Sequence, residues 1–227
     1  MSRRRIYLMR HAEVSYFENR LPVPPDEVPL TATGLEQANA AAEALAGVTF
    51  DRVLTSGLPR TVETARAVVR DVEPEAWPDL RELKSGRLLD IPPAELEAAF
   101  LGAFDGLVPG SARFLGGETI DELFDRVLPA IERLRADATW DVLLAVLHGG
   151  VNRAILSHAL TGGRTFLGNL EQAPGCINVL DVDDGGWIVR AVGVTPYDPM
   201  HLRGRTTTME ELWSQFRSTW STTKSST

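Results

Sequence analysis

Cysteine is almost absent. Cys176 is the only one in 227 residues, so no disulfide can form within the chain, and a reducing compartment is the simpler expectation. Lysine is nearly missing as well. Of 23 basic residues only Lys84 and Lys224 are lysines, so nearly every cation able to grip an anion is a planar, permanently charged guanidinium. Positive charge is not in excess: the net charge of -8 disfavours nucleic acid and anionic membranes as partners and confines any anion site to a local pocket. No apolar run reaches the roughly eighteen residues needed to span a bilayer. The apolar run Ile6–Met9 behind the basic start Met1–Arg5 is too short for a signal-peptide core, and a cytoplasmic protein is expected.

What is present suits a folded globular chain. Hydrophobic residues make up 44% and charged residues 24%, a balance that supports one sizeable α/β domain. That catalytic domain is expected over residues 1–210, followed by a Ser/Thr-rich tail over 211–227. The tail is read as mobile, with docking of Leu212, Trp213, Phe216 and Trp220 as a short amphipathic helix as the alternative.

Ile6–Met9, Arg52–Thr55 and Val142–Leu147 read as short strands, the first and last wholly apolar and so suited to burial on both faces of a sheet. The proline-rich stretch 12–32 predicts a loop. Thr33 and Glu36 have capping-box spacing before an alanine-rich helix ending at Gly47, and Thr119 and Glu122 repeat the pattern before a helix reaching about Ala136, which Pro129 is expected to kink. Ser56 is the expected N-cap of a helix from Leu58 to about Arg70. A further strand is expected within Trp77–Leu83, and helices over Ala94–Phe104 and Val151–Leu160. Cys176–Val182 and Trp187–Val194 flank an Asp-Asp-Gly-Gly turn and form a hairpin. Alternating strands and helices imply a mostly parallel sheet covered on both faces, with that hairpin as its antiparallel element.

In such sheets ligands sit at the carboxyl ends of the strands. Strand one ends in Arg10-His11, strand two runs into Ser56 and Arg60, and the later strand ends in His148-Gly149-Gly150. Three strand ends are thus expected to bring two arginines and two histidines to one place, a set that would suit a phosphate carrying about -1.5 to -2 charges. An arginine fork holds two phosphoryl oxygens at once, and alignment with charge stabilisation is most of what phosphoryl transfer asks of a protein. A neutral imidazole can accept the group, while a carboxylic acid opposite protonates the leaving alcohol.

These residues lie in segments that resemble a known family. Ile6–Glu13 resembles the strand-plus-RHG signature of the histidine phosphatase superfamily, also called phosphoglycerate mutase-like; Leu30–Ala38 is similar to its LTxxGxxQA segment, and Thr55–Ala65 to SxLxRxxxTA. Leu80–Gly86 resembles LxExxxG, Gly116–Thr119 resembles GGES, and Val146–Arg153 resembles SHGGxxR. The six occur in family order across roughly residues 5–195. The resemblance implies a three-layer α/β/α fold and a metal-independent phosphomonoester hydrolase needing no cofactor. It implies His11 as nucleophile, His148 as the second pocket histidine, Glu82 as proton donor, and Arg10, Arg60, His148 and Gly149 as the phosphate pocket. The substrate is then a small phosphorylated metabolite.

Some positions depart from the pattern. Ala12 replaces the usual glycine, and Phe17 stands where many members carry asparagine, with Asn19 two further on and given no catalytic role. Arg87–Asp90 lacks the pattern of cofactor-dependent mutases. A mutase-type phosphotransferase and a non-catalytic phospho-ligand-binding protein are the alternatives. His158 and His201 read as structural or surface residues, and Lys84 and Arg87 either as substrate contacts near Glu82 or as solvent-facing. No Asp, Glu and His cluster has metal-ligand spacing. Oligomeric state is open, a homodimer being compatible with the sequence.

Overall fold

The computed structural model describes residues 3–18, 21–202 and 205–223; Asn19, noted above, lies outside the described residues. Its strands are β1 (Arg4–Arg10), β2 (Phe17–Glu18), β3 (Leu21–Pro22), β4 (Arg52–Thr55), β5 (Glu75–Ala76), β6 (Leu107–Val108), β7 (Val142–Leu147), β8 (Phe166–Leu167), β9 (Ile177–Asp183) and β10 (Gly186–Val194). Its helices are α1 (Ala32–Ala44), α2 (Pro59–Val68), α3 (Leu96–Leu101), α4 (Ile120–Ala136), α5 (Gly149–Thr161) and α6 (Thr208–Thr223).

The main sheet has the order β10-β9-β1-β7-β4-β5. β1, β7, β4 and β5 run parallel, and the β9–β10 hairpin adds antiparallel to β1. Alternation along the strands feeds two cores. Ile6, Leu8, Leu54, Leu143, Ala145 and Leu147 pack with α4 and α5, whereas Met9, Val53, Leu144 and Val146 pack with α1 and α2. The result is the expected α/β/α sandwich.

Several local expectations give way. The loop 12–32 contains the two-residue pair β2–β3 and a bridge from Val14 to Leu30. Thr31, not Thr33, caps α1: its Oγ1 accepts from Gly34 N at 3.0 Å. The Thr119–Glu122 box does form, with both reciprocal bonds, and α4 runs through Pro129. Ser56 does not cap α2; Leu58 takes that place, and the hydroxyl is used elsewhere. The strand expected in Trp77–Leu83 is displaced to β5, and a short 3-10 turn covers Pro78–Leu80.

The expected tail boundary at 211 falls inside α6, which starts at Thr208 and docks on α3. Phe100 meets Trp213 and Phe216 with ring centroids 5.5 and 5.6 Å apart, and Met209 and Phe216 are buried. Burial of this apolar stripe holds a Ser/Thr-rich segment whose propensity alone is modest.

Candidate active site

Three parallel strands deliver the site. His11 follows the last residue of β1, Ser56 follows β4, and His148 follows β7 as the N-cap of α5, while Arg60 lies in the first turn of α2. Arg10, His11, Arg60 and His148 are 7, 2, 2 and 0% exposed, and the two imidazole centroids are 5.2 Å apart. Burial is the largest reason both imidazoles are held well below the ordinary histidine pKa; Arg10 and Arg60 add to it for His11, and for His148 His11 itself does so ahead of the arginines. Both rings are therefore neutral near neutral pH.

Their tautomers follow from their partners. His11 Nδ1 lies 2.8 Å from Ala12 O, a carbonyl that can only accept, so Nδ1 carries the proton and Nε2 keeps its lone pair. Thr61 Oγ1 donates to Leu58 O at 2.8 Å, so Ser56 Oγ donates to Thr61 Oγ1 at 3.1 Å and accepts from His148 Nε2 at 2.8 Å. That leaves His148 Nδ1 buried and without a partner among the described residues, as are Arg10 Nε and Arg60 Nε. Buried polar groups without partners are costly and mark positions that a ligand can satisfy.

The glycines around these groups serve close approach. A Cβ at Gly34 would stand 2.2 Å from Glu13 O, where the segment after His11 crosses the first turn of α1; there Glu13 N also donates to Gln37 Oε1 at 2.9 Å. A Cβ at Gly149 would lie 3.2 Å from Arg153 Nη1 and 3.6 Å from Arg10 Nε, and one at Gly150 only 2.7 Å from Glu82 Oε1. Ala12 in place of glycine is accommodated. It is fully buried, takes no positive φ, and its amide donates to Thr64 Oγ1 at 3.1 Å.

Glu82 is half-buried over the start of α5, where it accepts from Gly150 N at 3.1 and 3.2 Å and from Leu83 N at 2.9 Å. Its segment is clamped from behind. Arg126 donates to the carbonyls of Asp79, Arg81 and Glu82 and to both oxygens of Glu118, whose Oε2 also accepts from Lys84 N. Burial alone would raise the Glu118 carboxyl, but Arg126 and that amide outweigh it and hold it below the ordinary range, and through these bonds Glu118 anchors the segment.

Further residues the sequence reading left unassigned join the site. Arg10 Nη1 donates to Thr208 Oγ1 at 2.7 Å and to Gln172 O; Thr208 Oγ1 donates to Glu171 Oε1 at 2.9 Å, and Glu171 Oε2 accepts from the buried Arg153 at 2.8 Å. Arg126, Glu171 and Thr208 carry no local motif that could have flagged them. His158 lies in the last turn of α5 with Nδ1 3.1 Å from Gly163 O, and Cys176 is buried with its thiol pushed up to about 12, which suits a packing role. Among the described residues no group of three or more His, Cys, Asp and Glu could hold a metal ion, and no helix is long and apolar enough to cross a membrane.

Comparison with known proteins is consistent along the chain. The family profile described as histidine phosphatase superfamily (branch 1) matches residues 6–195. An adenosylcobalamin/alpha-ribazole phosphatase of Salmonella typhimurium is 32% identical over 190 residues, covering 80% of this chain and 92% of the relative. A metal-independent phosphoserine phosphatase of Arabidopsis thaliana is 29% identical over 199 residues, 81% of this chain and 79% of its own. The solved structure of an alpha-ribazole phosphatase from Shigella flexneri superposes with a TM-score of 0.68 at 25% identity, covering 83% of this chain and 96% of that one.

Proposed function

The chain belongs to the histidine phosphatase superfamily, and from that premise we propose that it hydrolyses small phosphomonoesters through a phosphohistidine on His11, without a metal ion. The observation that carries this reading is the pairing of an unprotonated His11 Nε2 with three buried, partnerless groups, Arg10 Nε, Arg60 Nε and His148 Nδ1. A phosphoryl group beside them would take hydrogen bonds from both arginines, and from His148 once the anion's charge favours the imidazolium and Nδ1 takes a proton from the substrate monoanion or from solvent.

In the first step the His11 Nε2 lone pair forms a bond to phosphorus as the ester P–O bond breaks, and Glu82 gives its proton to the departing alkoxide. In the second, Glu82 as carboxylate takes a proton from water, whose oxygen attacks phosphorus as the N–P bond breaks, releasing phosphate. The arginines supply the charge that a divalent ion supplies elsewhere. The Arabidopsis relative, named as metal-independent, supports the same reading.

Incubation with a labelled phosphomonoester followed by rapid quenching should trap an acid-labile, base-stable phosphoryl label on the wild type and none on His11→Ala. Equal labelling of the two proteins would sink the assignment of His11. Activity should also persist after exhaustive chelation; complete loss in EDTA with recovery on adding magnesium or zinc would refute metal independence.

A further inference from the structure

Helix α6 lies beyond the segment matched by the family profile, yet it forms one wall of the cleft over His11. Thr208, Glu211, Leu212 and Gln215 fall at i, i+3, i+4 and i+7, a single stripe of the helix, and all four line that cleft with Arg10 and His11. The first residue of the stripe is tied to the phosphate end: Thr208 Oγ1 accepts from Arg10 and donates to Glu171, so the helix is held at a fixed place relative to the guanidinium. Its next residues line the same cleft beside Arg10 and His11.

Their chemistry is one-sided. Glu211 from α6 and Glu13 from the segment after His11 both line the cleft, and Arg10 is the only Arg or Lys among the described residues that line it. Glu13 Oε1 accepts from Thr31 Oγ1 at 2.8 Å, and Glu211 Oε1 from Thr206 Oγ1 at 3.1 Å, bonds that a carboxylate makes while keeping its second oxygen for another donor. Gln215 Oε1 is buried with no donor among the described residues. Beside the apolar Val14, Pro174 and Leu212, the cleft thus presents two carboxylates and an amide oxygen with no donor among the described residues.

We propose, on the reading that His11 accepts the phosphoryl group, that α6 reads the alcohol half of the substrate, and that this alcohol carries an amino group: the substrate class is a phosphorylated amino alcohol. An ammonium there meets the carboxylates of Glu211 and Glu13 and donates to Gln215 Oε1, while Arg10 and Arg60 hold the phosphoryl oxygens. A carboxylate at the same place would meet two like charges. The class therefore excludes phosphorylated sugar acids as preferred substrates, which argues against the mutase alternative from a different part of the chain than Arg87–Asp90.

A matched pair of substrates isolates the effect, since phosphoethanolamine and phosphoglycolate share a two-carbon alcohol and differ in an ammonium against a carboxylate. The kcat/KM ratio should favour phosphoethanolamine by roughly tenfold or more, with glycerol 3-phosphate between them. Glu211→Gln should shrink the ratio to within about threefold, Glu211→Lys should invert it, and Gln215→Leu should lower kcat/KM for phosphoethanolamine more than for phosphoglycolate. A wild-type preference for phosphoglycolate, or a ratio unmoved by both Glu211 variants, would overturn the proposal. Hydrolysis of p-nitrophenyl phosphate and phosphoryl labelling that depends on His11 report on the underlying reading separately. If both are present and the ratio is wrong, only the amino-alcohol assignment fails; if both are missing, the phosphatase reading fails and takes this one with it.

Discussion

At the carboxyl ends of the parallel strands Arg10 and Arg60 are buried, and no carboxylate among the described residues pairs with either; at the opposite end Arg5 and Arg190 are nearly half exposed and share the buried carboxylate of Asp181 at 2.7 and 2.8 Å. Arg52 at that end likewise spans Glu75 and Asp137. A larger cleft, about 620 Å³, lies among Arg3, Arg5, Asp181 and Arg190, whereas the one at Arg10 and His11 is about 50 Å³. Size therefore does not locate the chemistry here. What separates the ends is whether each cation has a fixed counter-charge: a paired guanidinium has little left for a ligand, and a buried unpaired one is held ready for an anion.

The strongest way to break this contrast is to remove one arginine from each end. Arg10→Ala should lower kcat/KM for any phosphomonoester by roughly 100-fold or more, the scale of losing a preorganised charge at a transition state. Arg5→Ala should stay within about twofold of wild type. Steady-state kinetics on one substrate checks both, and comparable losses would mean that pairing does not distinguish function.

Carboxylates extend the contrast, because Glu82 is held by amides alone while Asp181 is held by two arginines. Glu82→Gln keeps size but removes the donated proton, so alkyl phosphates should slow by roughly 100-fold and activated aryl phosphates much less. Equal slowing of both substrate classes would reduce Glu82 to a pocket-ordering residue.

The parts of this arrangement that were legible from sequence are those fixed by neighbours in the chain. Wholly apolar runs marked β1 and β7, and the polar residues stopping them marked Arg10, His11 and His148. The capping box at Thr119 was readable, whereas at Thr33 the same spacing misled, because Thr31 reaches Gly34 N first and Gly34 must sit against Glu13 O. What stayed hidden depends on long-range approach. Arg126 reaches the Glu82 segment across 44 residues, and Thr208 reaches Arg10 across 198, so neither has a local pattern to announce it. The docking of α6 likewise depends on Phe100, far away in the chain, and a Ser/Thr-rich composition concealed it.

Anion binding sharpens the comparison at smaller cost. Inorganic phosphate or vanadate bound between Arg10 and Arg60 should raise the melting temperature by several degrees at about 100 times its Kd, through mass action. Arg60→Ala should lose that rise while Arg190→Ala keeps it, which differential scanning fluorimetry reads directly. A rise surviving in Arg60→Ala would remove Arg60 from the pocket.

The smallest effect separates the two ends along the pH axis, and its sign follows from which form each group favours when folded. Burial holds His11 and His148 below the ordinary value, so once pH falls under about 6.5 the unfolded chain takes up protons at these positions that the folded one refuses. Stability from this source is complete above about pH 6.5 and declines below it, by about 1.4 kcal/mol per histidine per pH unit while the folded rings stay neutral. Asp181 is also lowered, chiefly by its hydrogen bond to Arg5, so its contribution is complete above about pH 4 and lost only as pH falls further. Urea denaturation in phosphate-free buffer should show a decline in unfolding free energy between pH 6.5 and 4.5 that His11→Asn or His148→Asn flattens and Asp181→Asn does not touch. Below about pH 4 the order reverses, and Asp181→Asn should flatten the curve there. A decline between pH 6.5 and 4.5 that neither histidine substitution alters would mean that those imidazoles are not held neutral in the fold, and the nucleophile assigned to His11 would lose its physical basis.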